Sequence, residues 1–220
     1  MVSTRQGGAV GKIPRWTGGL ALVFTLGTAA AQTLAAPAAE SEYAAEWVRS
    51  TNDNRDRPYA IVDKLDARIY VYDAQGRLVG VSAVLLGQTP GDSAVPLDNR
   101  HPYSLPLEER TTPAGRFDSQ PGHNDKGDAV VWIDHSAALA IHRLRPAPAV
   151  QRREARLESP TPHDNRISLG CVIVPGAFYD GVIAPTLGRG RSVVYVLPES
   201  SPVRAMFGPR FEPTAALAGL

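Results

Sequence analysis

The chain has one cysteine, Cys171, in 220 residues. One thiol excludes a disulfide framework within the chain. With no second cysteine and no His-x-x-x-His pair, zinc coordination is not expected either. Ser82, Ser104 and Ser136 lack the Gly-x-Ser-x-Gly setting of an acyl-transfer serine. A phosphate-cradling glycine fingerprint and internal repeats are also missing. Excess charge of either sign is absent: 23 bases face 22 acids, a net charge of +1, so there is no basic footprint for nucleic acid. What remains is an ordinary globular composition, 43% hydrophobic and 20% charged, sized for one domain with extensions.

Residues 1–36 have the pattern of a secretory signal. Arg5, Lys12 and Arg15 precede an apolar stretch from Trp16 to Ala31, and Ala29-Ala30-Ala31 offers small residues for cleavage. A retained anchor is the alternative, although the run is short against the ~20 residues a span needs. Residues 37–58 are expected to form a linker or short helix, with Tyr43 and Trp47 four apart on one face. A domain is placed at 59–198 and a surface tail at 199–220.

From Tyr59 onward the pattern is strand-like. Tyr59-Ala60-Ile61-Val62 and Arg68–Tyr72 are rich in aromatic and β-branched residues, and Asp73–Gly76 makes a hairpin turn. Leu78 to Leu86 forms a longer strand closed by Gly87. Residues 88–110 form a long loop, then 111–117 turn into a strand. A loop over 122–128 carries His123, and short strands follow at 129–134 and 138–142. Residues 145–166 are loop-like, with one helical turn in the charged run 152–156. A short helix over 177–187 and a last strand over 192–197 complete the series. A meander of this kind predicts a mainly β fold with a mixed sheet, sandwich or barrel-like, and one or two short helices.

Cys171 lies in Ile167-Ser168-Leu169-Gly170-Cys171-Val172-Ile173-Val174, after a glycine and between apolar runs. A lone cysteine is ordinarily inert packing. Gly170 beside it, the hydroxyl of Ser168 and the export pattern raise the functional reading. A nucleophilic thiol needs a base or cation to promote the thiolate. His142 ends the apolar strand 138–141, whereas His163 sits in a polar loop eight residues before the cysteine; spacing alone does not choose between them. His101, His123 and His135 lie in or beside loops.

Three segments together resemble the L,D-transpeptidase catalytic domain, the YkuD family. They are Thr112-Pro113-Ala114-Gly115-Arg116-Phe117, Ala140-Ile141-His142 and Ser168-Leu169-Gly170-Cys171-Val172, within a span from Tyr59 to Leu197. Leu169, Ile173 and Arg143 depart from that family's commoner residues. The resemblance implies Cys171 as nucleophile, His142 as base and Ser168 as an orienting hydroxyl. Backbone amides of Leu169, Gly170 and Cys171 are the oxyanion candidates, and Arg143 and Arg166 the candidates to hold a stem-peptide carboxylate. It also implies a periplasmic acyltransferase on peptidoglycan stem peptides, with no cofactor or metal, monomeric, and touching the membrane only through its export signal. A hydrolase on the same scaffold and a non-catalytic wall-binding module are the alternatives.

Overall fold

The structure is a computed structural model and describes residues 38–98 and 100–207. The expected signal segment lies outside the described residues. Among the described residues ten strands occur in the order β1 (Tyr59–Asp63), β2 (Arg68–Tyr72), β3 (Leu78–Ala83), β4 (Leu86–Gly87), β5 (Gly115–His123), β6 (Ala129–Asp134), β7 (Leu139–Arg143), β8 (Arg166–Ser168), β9 (Val172–Val174) and β10 (Ser192–Val196). Eight of them form one mixed sheet in the order β3-β2-β1-β10-β5-β6-β7-β9, with β1·β10 and β7·β9 parallel. The two ends of this sheet meet. Leu85 and Ile173 exchange backbone hydrogen bonds of 2.8 and 2.9 Å, so the segment after β3 pairs with β9 and nearly closes a barrel. Strands β4 and β8 add a short parallel pair beside that seam.

Alternation along the strands explains the layers, because successive side chains point to opposite faces. Ala60, Val62, Ile69, Val71, Val194 and Val196 face inward and share one core with Val131, Leu139, Ile141 and Val172. The intervening Tyr59, Ile61, Tyr70, Tyr72, Val193 and Tyr195 face outward, yet they too are buried. Strands buried on both faces read as unbroken apolar runs, and YAIV and SVVYV do so. Their outer face is covered by the helix Ala39–Thr51, through Ala44, Ala45 and Val48, and by the helix Val203–Phe207, through Val203 and Phe207. Trp47 and Phe207 pack with their rings tilted by 44° and centroids 4.9 Å apart. The helix before Tyr59 is therefore packed on the sheet. Of the segment expected to trail over the surface, residues 203–207 are packed as well, because β1, β2 and β10 leave an apolar face that something must cover.

Other differences are local. The expected strand 78–86 breaks after Ala83, where Val84 N–H turns inward to Ala67 O at 2.9 Å. Strand β5 runs on through His123, so the turn is confined to 124–128, held by Asn124 accepting from Lys126 and Asp128 amides. The helix after the cysteine spans 176–189, including a π turn at Tyr179–Ile183 ahead of Pro185, which has no N–H to continue the ladder. It buries Tyr179, Ile183 and Leu187, four residues apart, on the inner core.

Candidate active site

On the far part of the sheet the same alternation produces a cleft. Strands β6, β7 and β9 give Val131, Ile133, Leu139, Ile141, Val172 and Val174 to the core. Their other faces present Val130, Trp132, Ala140, His142, Cys171 and Ile173 to a cleft of about 730 Å³. Both long connections line it: residues 88–110 contribute Gln88, Tyr103 and Arg110, and residues 145–166 contribute Arg145, Gln151 and Arg153.

Cys171 immediately precedes β9, and His142 is the register partner of Ile173 across the parallel β7·β9 ladder. The two side chains are thus diagonal neighbours on one face of the sheet. Among the described residues no hydrogen bond joins them. The Cys171 thiol donates to Ala138 O at 3.4 Å, while His142 Nδ1 lies 2.8 Å from Arg143 O. A carbonyl only accepts, so Nδ1 carries the proton and the Nε2 lone pair is free. Burial lowers the His142 imidazole to about 4; the cations of Arg145 and Arg153 add to this, against the Arg143 carbonyl and Asp128. Burial pushes the Cys171 thiol up, and a backbone hydrogen bond from Ala140 and the charge of Arg145 only partly offset it. At neutral pH the resting pair is therefore a neutral thiol beside a neutral imidazole.

The turn that carries Cys171 is tied from several directions. Ser168 is 4% exposed; its hydroxyl donates to Cys171 O at 2.7 Å and accepts from Gly170 N at 3.0 Å. It makes no bond to His142, so it shapes the turn and does not orient the base. The Gly170 amide is thereby spoken for, which leaves those of Leu169 and Cys171 as oxyanion candidates. Gly170 has φ 137°, and a Cβ there would lie 2.9 Å from Thr111 O. Thr112, fully buried, donates its hydroxyl to Gly170 O at 2.8 Å and accepts from Gly87 N at 2.9 Å.

The two arginines expected to hold a substrate carboxylate do not line the cleft, and each is paired with an acid of the chain itself. Arg143 follows His142, so alternation turns it to the opposite face. There it donates to Asp180 Oδ1 at 2.6 Å and lies 4.7 Å over the Tyr179 ring. Arg166 is closed by Glu199, at 2.5 Å, and by Lys64 O at 3.1 Å. The same network holds the fully buried ammonium of Lys64 against Asp92 Oδ1 at 2.8 Å and Thr112 O at 2.9 Å. The cleft's cations are Arg110, Lys126, Arg145 and Arg153 instead. His163 is exposed and outside the cleft.

Sequence reasoning gave no site role to Thr112, Lys64, Arg110 or Arg153. Thr112 stood inside a quoted motif, and that was its one signal. Arg153 lay in the charged run 152–156, and the partners of Lys64 are distant in sequence. Among the described residues, no three His, Cys, Asp or Glu side chains converge as metal ligands, and no helix is long and apolar enough to cross a membrane.

The solved structures to which this chain is similar include L,D-transpeptidase catalytic domains. One is the catalytic domain from Enterococcus faecium, at 17% identity and TM-score 0.37, covering 64% of this chain and 98% of that one. Another is the L,D-transpeptidase from Xylanimonas cellulosilytica, at 16% identity and TM-score 0.39, covering 64% of this chain and 60% of that one. The helical cell shape determining protein Pgp2 from Campylobacter jejuni matches at 13% identity and TM-score 0.41, over 74% of this chain and 56% of that one. No family model and no curated protein matches the chain.

Proposed function

We propose that the protein is an exported, periplasmic L,D-transpeptidase acting on peptidoglycan stem peptides. The observation that carries this reading is a convergence. Three motif segments, at 112–117, 140–142 and 168–172, meet around one thiol: Thr112 braces Gly170, and β7 sets His142 beside the strand that Cys171 opens. In this reading Cys171 Sγ attacks the carbonyl following the L-centre of diaminopimelate in a tetrapeptide. His142 Nε2 takes the thiol proton and delivers it to the departing D-alanine nitrogen. The S–C bond forms, the C–N bond breaks, and a thioester remains on the enzyme. The Leu169 and Cys171 amides face the oxygen on which charge develops. An acceptor amine then attacks the thioester, giving up its proton to His142 and restoring the thiol.

Incubation with a purified stem tetrapeptide and an amine acceptor tests this. Mass spectrometry is expected to find the acyl group on Cys171, free D-alanine and a joined product. Cys171→Ala is expected to give none of these, and His142→Ala to acylate about 10²–10⁴-fold more slowly, with His163→Ala close to the parent. D-Alanine release by Cys171→Ala, or unchanged acylation in His142→Ala, overturns the assignment. Product consisting solely of hydrolysed tripeptide reassigns the protein to the hydrolases.

A further inference from the structure

Cations buried in a protein are ordinarily closed by carboxylates, and most of the half-buried arginines here are. Arg57 pairs with Asp118, Arg116 with Asp53, and within the cleft Arg145 with Asp128 at 3.2 Å. Two cleft arginines differ. Arg110 donates Nε to Leu105 O at 2.9 Å and one terminal nitrogen to Gln88 Oε1 at 2.8 Å. Arg153 donates Nε to Gln151 Oε1 at 2.7 Å. Among the described residues neither lies within ion-pair reach of a carboxylate. Each is instead aimed by a neutral glutamine that also lines the cleft. The two come from opposite connections, 88–110 and 145–166. Among the described residues, Asp125 is the one acidic residue in the lining against four cations.

A guanidinium held by its Nε turns its terminal nitrogens towards an arriving carboxylate: Arg153 has both terminal nitrogens for it, and Arg110 the one that Gln88 does not take. Burial already pulls Arg153 below its ordinary value, with Tyr103 and Glu154 opposing. The site thus bears a desolvation cost that an arriving anion relieves. Resting on the reading of the cleft as a stem-peptide site, we propose that Arg110 and Arg153 are two separate carboxylate-binding positions, one on each connection, so that the cleft selects a peptide carrying at least two free carboxylates. They do the work that Arg143 and Arg166, committed to Asp180 and Glu199, are not placed to do.

The test measures binding without turnover. In the full-length Cys171→Ala protein, calorimetric titration compares a diaminopimelate-containing stem tetrapeptide with free carboxylates and the same peptide with its carboxylates amidated. Arg110→Gln and Arg153→Gln are each expected to weaken the acidic peptide about tenfold, the scale of one charge-assisted hydrogen bond, and to leave the amidated peptide unchanged. Singly amidated peptides are expected to couple to one arginine or the other. Arg152→Gln, exposed and outside the cleft, serves as the control. The proposal is overturned if the amidated peptide binds the parent as well as the acidic one, if both variants weaken both peptides equally, or if no peptide binds. Selective binding of the acidic peptide with no D-alanine release by the parent enzyme would sink the transpeptidase reading and leave this one standing.

Discussion

His142 shows how one residue's burial sets both its chemistry and its contribution to stability. Its ordinary value is 6.5, and in the folded protein it titrates at about 4. Between those two values the unfolded chain holds a proton that the folded chain does not. Stability is therefore highest above pH 6.5 and falls as the pH drops from 6.5 towards 4. At ~1.4 kcal/mol per pKa unit the loss is at most on the order of 3 kcal/mol, and less to the extent that solvent reaches the half-buried ring. Urea unfolding at pH 7 and pH 4.5 is expected to show a larger drop for the parent than for His142→Gln. Equal drops would mean that the imidazole is solvated enough to titrate normally. Gly170 makes the complementary point about backbone: at φ 137°, with Thr111 O 2.9 Å from where a Cβ would be, no other residue fits without shifting the cysteine turn.

At the scale of elements, the segment 112–117 acts as a strut. The Thr112 hydroxyl bridges β4, through Gly87, and the cysteine turn, through Gly170 O, while the Thr112 carbonyl accepts from Lys64. Replacing Thr112 by valine keeps the shape and removes both side-chain bonds, leaving the Gly87 amide and Gly170 carbonyl buried without that partner. The expected cost is about 1–3 kcal/mol, read as a lower urea midpoint. A rate of the proposed Cys171 acylation by stem tetrapeptide that falls further than unfolding explains would place the strut's effect at the thiol. Unchanged stability and rate would show the hydroxyl to be dispensable. The helix 176–189 plays the opposite part. It fills the inner core from behind the cysteine, and its Asp180 draws Arg143 away from the cleft.

Over the whole molecule, one charge network joins distant parts of the chain. Lys64, Asp92, Arg166 and Glu199 come from the ends of β1, the long 88–110 connection, β8 and the segment after β10. Glu199 Oε1 also accepts from Gly91 N at 2.8 Å. Burial raises the Asp92 carboxyl, but hydrogen bonds from Lys64 and from the Glu199 and Ser200 amides outweigh it and hold the group at about 2. Neutralising one member of such a buried set leaves its partners uncompensated, typically at about 3–5 kcal/mol. Glu199→Gln is therefore expected to lower the urea midpoint strongly while Arg77→Gln, at an exposed pair, hardly moves it. Similar midpoints for the two variants would show that water reaches the Lys64 site.

The sequence by itself determined most of the strands and the mixed β class, and its motif resemblance singled out the candidate pair Cys171 and His142, which spacing alone left open. Each rests on local information: two-residue alternation, turn residues, and motif residues close together in the chain. Alternation even held the answer for Arg143, since the residue after a cleft-facing His142 must point the other way. Tertiary structure alone decided the rest. The covering of β1, β2 and β10 by helices at 39–51 and 203–207 follows from an apolar outer face that exists only once the sheet is assembled. Whether an arginine is committed or free depends on which carboxylate folds against it. Arg166 meets Glu199 across 33 residues and Lys64 meets Asp92 across 28, while Arg153, in the charged run 152–156, is left facing the thiol's cleft with a glutamine for company. Periodicity says which face a side chain takes, but the partner waiting there is chosen by chain closure over distances that no local pattern encodes.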